Sequence, residues 1–149
     1  LELALTDAVS LGVSYAPDAI STPKNINDDE GGTDDITVEA DFNDLTTVYL
    51  LAKSPIGIYG KLGFSQMEID VKSTNAGTYK DPGTTDGHEI AIGYMHEIDG
   101  GVSVRVELAY HEFEDVKADN GKSSNVDANK ITITNMEGAT GRISLAKSF

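Results

Sequence analysis

Cysteine is absent from this 149-residue chain, and so is tryptophan. Without cysteine there are no disulfides, no thiolate metal sites and no thiol nucleophile. Basic residues are scarce. Eleven Lys and Arg stand against 25 Asp and Glu, a formal net charge of -14. Phosphates repel such a surface, which argues against nucleic acid as a partner. Long apolar runs are missing as well. The longest spans residues 48–52, whereas a membrane-spanning helix needs roughly 20 apolar residues. No N-terminal stretch has the basic start and apolar middle of a signal peptide. Hydrophobic residues still make up 39% of the chain, alongside 15 glycines. That composition excludes a wholly disordered acidic polymer and fits one domain over residues 1–149.

Helical periodicity is nearly absent, and period-two alternation takes its place. Leu1, Leu3 and Leu5 alternate with Glu2 and Ala4, and Val9, Leu11, Val13 and Tyr15 follow after a short turn. Ile36, Val38, Ala40, Phe42, Thr46, Val48, Leu50 and Ala52 share one parity along a single long strand. Ile58, Gly60, Leu62 and Phe64 form the next apolar face. Met67, Ile69 and Val71 continue it with opposite parity, which predicts a bulge near Ser65 and Gln66. Ile90, Ile92, Tyr94 and Ile98 lead through Asp99-Gly100-Gly101 to Val102, Val104, Val106, Leu108 and Tyr110. The turn is a hairpin signal. A last segment begins at Ile131 and Ile133 and finishes with Ile143, Leu145 and Phe149 on one face.

These segments are seven strands. Polar loops are expected at 16–35, 73–87 and 117–129, and short turns at 6–8, 53–57 and 99–101. Strict alternation of long and short connections predicts an all-β, antiparallel up-and-down meander with its long loops at one end. The strands have the length of tilted membrane-spanning strands.

The other face of each strand decides which side is inside. Facing water, it would favour Lys, Glu, Thr and Gln. Here it is mostly small, with Ser10, Gly12, Ser14, Gly63, Ala91, Gly93, Ser103, Ala109, Ser144 and Ala146. Among these sit Glu39, Asp41, Lys61, Glu89, Glu97, Arg105, Glu107 and Arg142. Small residues with charges of both signs suit a crowded polar barrel interior, and the apolar face then meets lipid. Across the hairpin, Arg105 is expected diagonal to Glu97, and His111 near Glu89. Buried charges must be paired, so these groups are expected to neutralise one another and fix the barrel register.

The run Thr46-Thr47-Val48-Tyr49, the run Ile58-Tyr59-Gly60-Lys61-Leu62-Gly63-Phe64 and the end Gly141-Arg142-Ile143-Ser144-Leu145-Ala146-Lys147-Ser148-Phe149 carry a resemblance over essentially the whole chain. The sequence resembles the small outer-membrane β-barrel proteins of Gram-negative bacteria, the porin-like and OmpA-type barrel domains. The resemblance implies an antiparallel transmembrane barrel in the bacterial outer membrane, in contact with lipid and lipopolysaccharide. It also implies that Gly141, Ile143, Leu145 and Phe149 form a terminal signal for the barrel-assembly machinery, with Lys147 standing where an apolar residue is usual. Such barrels have an even strand number with both termini on the periplasmic side. An eighth strand and a signal peptide are therefore expected upstream of Leu1.

An eight-stranded barrel is just wide enough for side chains to fill it, so a structural or porin-like role with at most a narrow passive pore is expected. No catalytic residue, no metal site and no cofactor is expected. Asp28, Asp29, Glu30, Asp34 and Asp35 form an acidic loop that could hold cations diffusely, although its spacing is not that of an EF-hand. Tyr15, Tyr59, Tyr94, Tyr110, Phe113 and Phe149 are expected as interfacial girdle aromatics, and outward Tyr and Ile faces could pack barrels laterally into a homo-oligomer. Two other classes compete. A soluble β-barrel would line a dry ligand cavity with the apolar face of 102–110. A barrel enzyme would use Asp86 and His88 as an acid–base pair, although no serine lies in a nucleophile motif.

Overall fold

A computed structural model describes residues 1–17, 20–21, 25–27, 36–74, 82–98, 100–119 and 130–147. Eleven strands appear in it: β1 (Glu2–Ala4), β2 (Val9–Ala16), β3 (Ile20–Ser21), β4 (Asn25–Asn27), β5 (Ile36–Lys53), β6 (Ile58–Thr74), β7 (Gly83–Ile98), β8 (Val102–Phe113), β9 (Val116–Asp119), β10 (Lys130–Ile133) and β11 (Glu137–Lys147). Seven of them follow one another in the order β1-β2-β5-β6-β7-β8-β11, each antiparallel to the next. β3 and β4 pair with the first half of β5, and β9 and β10 form a separate two-stranded sheet. The meander expected from the alternating connections is therefore present. The main sheet is not closed: β1 pairs with β2, β11 with β8, and the two do not pair with each other.

The sheet nevertheless curls. Glu2 of β1 forms an ion pair with Arg105 of β8, although β1 is the first strand of the sheet order and β8 the next to last. Side chains of such distant strands meet only across a concave face. That face carries Tyr49, Tyr59, Lys61, Ser65, Glu89, Ser103, Glu107 and His111, all buried. The convex face carries Leu11, Val13, Val48, Leu50, Leu62, Phe64, Ile90, Ile92, Val106, Leu108, Ile143 and Leu145, all exposed. Leu62 and Leu108 each keep 66% of their surface open, whereas Lys61 keeps 3%. Neighbouring residues thus invert the usual rule that apolar groups are buried and charges are not. An apolar outside is stable only against an apolar solvent.

β6 shows where that solvent ends. Its convex side reads Ile58, Gly60, Leu62 and Phe64, then Gln66, Glu68, Asp70 and Lys72. Its concave side reads Tyr59, Lys61, Gly63 and Ser65, then Met67, Ile69 and Val71. Both faces exchange polarity at the same level. Pairing with β7 runs without a shift from Gly60↔Ile92 through Ser65↔Gly87 to Ile69↔Gly83. The bulge expected at Ser65 and Gln66 is therefore absent from β6. The register shift lies in β5 between Asn43 and Thr46, where Asp44 has a φ of 52°. That extra residue turns Ala40 and Phe42 inward while Val48 and Leu50 point outward. The single parity read along β5 thus covers two different faces.

Above this level the strands continue as ordinary water-facing structure, longer than polarity alone predicts. β6 runs to Thr74 and β7 starts at Gly83, inside the loop expected at 73–87. Ala40, Ile69, Val71, Val116 and Ala118 form an apolar cluster on the concave side, joined by Phe42, Ile133 and Met136. The outward apolar belt on β8 runs from Val102 to Tyr110, eight steps or about 27 Å along the strand. A tilt near 40° turns that into about 20 Å, close to the apolar height of an outer-membrane barrel.

Candidate functional site: the filled lumen

Register brings the lumen groups together. Lys61 faces Ala91 across the β6–β7 pair, and Glu89 stands one inward position along from Ala91. Its Nζ lies 2.7 Å from Glu89 Oε1 and 2.8 Å from Glu107 Oε1. Tyr59 donates its hydroxyl to Glu107 Oε2 at 2.9 Å. Arg142 of β11 approaches Glu107 to 3.8 Å. Glu107 is thus held by three neighbours on two sides, and Lys61 serves two carboxylates at once. The Lys61 ammonium also sits 4.7 Å from the centroid of the Tyr49 ring, a cation–π contact.

A second group lies toward the turn end. Arg105 grips the Glu2 carboxylate, donates through Nε to Met95 Sδ at 3.2 Å, and Tyr49 donates to the same carboxylate at 3.2 Å. Toward the loop end, His111 Nδ1 stands 3.7 Å from Glu89 Oε2 and its Nε2 lies 3.2 Å from Thr140 Oγ1. Its ring stacks on Phe113 with an interplanar angle of 7°. Thr47 and Ser65 share a hydrogen bond of 2.8 Å.

Three inward glycines make room for aromatic rings on adjacent strands. Gly12 faces Tyr49, Gly93 faces Tyr59 and Gly87 faces Phe113 in the strand register. A Cβ at Gly93 would stand 2.3 Å from the Tyr59 ring, and one at Gly12 2.3 Å from the Tyr49 ring. These glycines are sockets for rings. Gly93→Ala should therefore push Tyr59 off Glu107 and destabilise the barrel by about 1–3 kcal/mol, the usual range for overpacking. Urea unfolding of the variant in lipid vesicles measures it. A loss below ~0.5 kcal/mol would show that the ring can move freely.

Of the charges expected in the interior, Lys61, Glu89, Arg105, Glu107 and Arg142 converge on the lumen. Glu39 and Asp41 do not. They precede the β5 bulge on the outer face, above the apolar belt, where Asp41 pairs with Lys72. Glu97 lies at the turn-end rim and pairs with Lys53 at 2.8 Å, so Arg105 reaches Glu2 in its place. Tyr59 and Phe113 belong to the lumen and not to a surface girdle. Tyr15, Tyr94 and Tyr110 are on the outer face. Asp86 accepts a hydrogen bond from Gln66 at 3.0 Å, and His88 packs edge-on against Phe64. The two share the outer face, and Ser65 beside them points inward. Gly141, Ile143 and Leu145 face outward on β11. Phe149 and the acidic run Asp28, Asp29, Glu30, Asp34 and Asp35 lie outside the described residues. Glu2, Tyr49 and Tyr59 are lumen groups that sequence reasoning missed. Their only signal was inward parity.

Outside the apolar belt, Lys72 lowers the Asp41 carboxyl through a hydrogen bond, with Ser21 adding a second, and Asp41 raises Lys72 in turn. The Asp41 contribution is then complete above the ordinary carboxylate range and lost as pH falls through its lowered value. The Lys72 contribution is complete below the ordinary lysine range and lost only as pH rises through its raised value. Asp41→Asn should lower the urea midpoint at neutral pH and converge on the parent protein as pH falls through the lowered Asp41 value, which flattens the acid limb.

No group of three or more His, Asp or Glu side chains able to hold a metal ion occurs among the described residues. The family described as the outer membrane protein beta-barrel domain matches residues 1–134. No curated protein and no solved structure matches the chain.

Proposed function

Because this chain belongs to the outer membrane protein beta-barrel domain family, we propose that it is a structural bacterial outer-membrane barrel with a filled lumen, porin-like at most in offering a narrow passive path. One observation carries this reading. Glu2, Tyr49, Tyr59, Lys61, Glu89, Arg105 and Glu107 bond to one another across the space a channel would occupy. A wide pore needs that space filled by water.

In this reading the chemistry of the chain is that of a non-enzymatic membrane element. The apolar belt contacts lipid. The outer face above it is rich in carboxylates, with Asp70, Asp86, Glu112 and Glu137 exposed or half-exposed. Divalent cations would link that collar and the acidic loop to the phosphates of lipopolysaccharide. Gly141, Ile143, Leu145 and Phe149 would address the assembly machinery, and the outward faces would permit lateral self-association. One further antiparallel strand would fit between β1 and β11. These two edges run in the same direction, so a single antiparallel strand satisfies both. Left open in lipid, their backbone groups would cost several kcal/mol each.

Two measurements test the reading in order. Unboiled protein should migrate differently from boiled protein in dodecyl sulfate gels, because a closed barrel resists the detergent until heated. In planar bilayers the protein should then show no porin-sized conductance steps. Large, frequent steps would overturn the filled lumen. Solubility in plain buffer without a heat shift would instead favour the soluble ligand-binding barrel.

A further inference from the structure

The two strands that rise to the loop end of β8 and descend into β11 both break at the same level. Glu114 and Asp115 interrupt one, and Thr134, Asn135 and Met136 interrupt the other. Asn135 has a φ of 55°, and its N–H donates to Asp115 Oδ1 at 3.2 Å, so the two breaks are tied into one hinge. Below it the hinge is anchored on the barrel. Phe113 N–H donates to the Met136 carbonyl at 2.8 Å, and Glu114 N–H to the Asp86 carbonyl at 2.9 Å.

Above the hinge, β9 and β10 pair with each other as a separate two-stranded sheet among the described residues. They nevertheless reach the far wall. Val116 and Ala118 pack against Ala40 of β5 and against Ile69 and Val71 of β6. In the sheet order, β7 separates β6 from β8, and its pairing with β6 ends at Gly83 opposite Ile69. The β9–β10 pair therefore passes over the end of β7 and lies across the mouth. Packing of small apolar side chains holds it there.

We propose that β9 and β10 are a hinged lid that seals the loop-side mouth of the barrel, and that its opening admits water and small polar solutes to the Thr47–Ser65 level of the lumen. The proposal rests on the barrel reading above and adds its point of control. Ser65 is fully buried and stands two inward positions below Ile69 on β6, so it reports on what passes the lid.

Since the chain has no cysteine, Ser65→Cys gives a single thiol. The test is its labelling rate with a membrane-impermeant, cationic methanethiosulfonate added from the loop side of outer membranes that carry the full-length protein. Ala118→Asp places a charge in the apolar contact and should speed labelling at least tenfold. Lys117→Asp, on the exposed side of the same strand, should leave the rate within twofold. Equal rates in the Ser65→Cys protein with and without Ala118→Asp would overturn the lid, provided the heat-dependent gel shift is retained. Should Ala118→Asp lose that shift, Val116→Ser replaces it with the same expectation and the same refuting result. A missing shift in the Ser65→Cys protein itself would refute the barrel reading, and the lid with it.

Discussion

Lys61→Met is expected to destabilise the barrel by about 3–5 kcal/mol, the range for removing one partner from a buried ion pair. Methionine keeps the reach of the side chain and removes only the charge. Glu89 and Glu107 are then left facing the same buried space, both within 3 Å of where the ammonium stood. Arg142, at 3.8 Å from Glu107, would compensate one of them partly and place the loss near the lower end of the range. Adding Glu89→Gln and Glu107→Gln to Lys61→Met should recover most of it, because the cost lies in the unpaired charges and not in the missing bonds. Urea unfolding in vesicles compares the three proteins: the parent, Lys61→Met and the triple variant. A loss under ~1 kcal/mol for Lys61→Met alone would mean that water reaches these carboxylates and that the lumen is wet.

Leu108→Arg carries the second large effect. Leu108 lies within the outward belt, between Val106 and Tyr110, and two thirds of it is exposed. For a soluble protein that exposure makes the substitution nearly neutral. Against a bilayer core the same arginine costs about 2–4 kcal/mol. Glu112→Arg, four residues further along the same face and above the belt, should change stability by less than ~0.5 kcal/mol. The difference between the two positions separates a lipid-facing surface from a water-facing one. Equal, small effects at both would return the apolar face to water.

The meander was legible in the sequence because each short turn and each alternating run carries its own local signal. Ile90 to Tyr94 and Val102 to Tyr110 are read correctly from parity alone, and their register follows from the hairpin between them. Parity fails at β5 because it counts residues, whereas the bulge at Asp44 changes which face a residue occupies without changing the count. The change of phase in β6 reads in the sequence as a bulge. It is the point where the solvent outside the strand changes, so that Met67, Ile69 and Val71 turn inward for the same reason that Leu62 and Phe64 turn outward. The same continuity of parity across the β5 bulge places Glu39 and Asp41 on the lumen face in the sequence, whereas the bulge turns them outward.

The lumen itself was half legible. Lys61, Glu89, Glu107 and Arg142 stand out as charges among small inward residues. Their partners across the barrel do not, because Glu2 meets Arg105 only once the sheet has curled, and no local pattern encodes that curvature. The ring sockets are similar. Gly12 and Gly93 read as small filler until the register places Tyr49 and Tyr59 opposite them.

The most direct test of the account is which solvent touches the outer face. The chain has no tryptophan, so Leu62→Trp, Leu108→Trp and Lys117→Trp each supply one fluorophore. In vesicles whose acyl chains carry bromine, the account predicts strong quenching at positions 62 and 108 and almost none at 117. Equal, weak quenching at all three, from protein that stays folded in plain buffer, would contradict it.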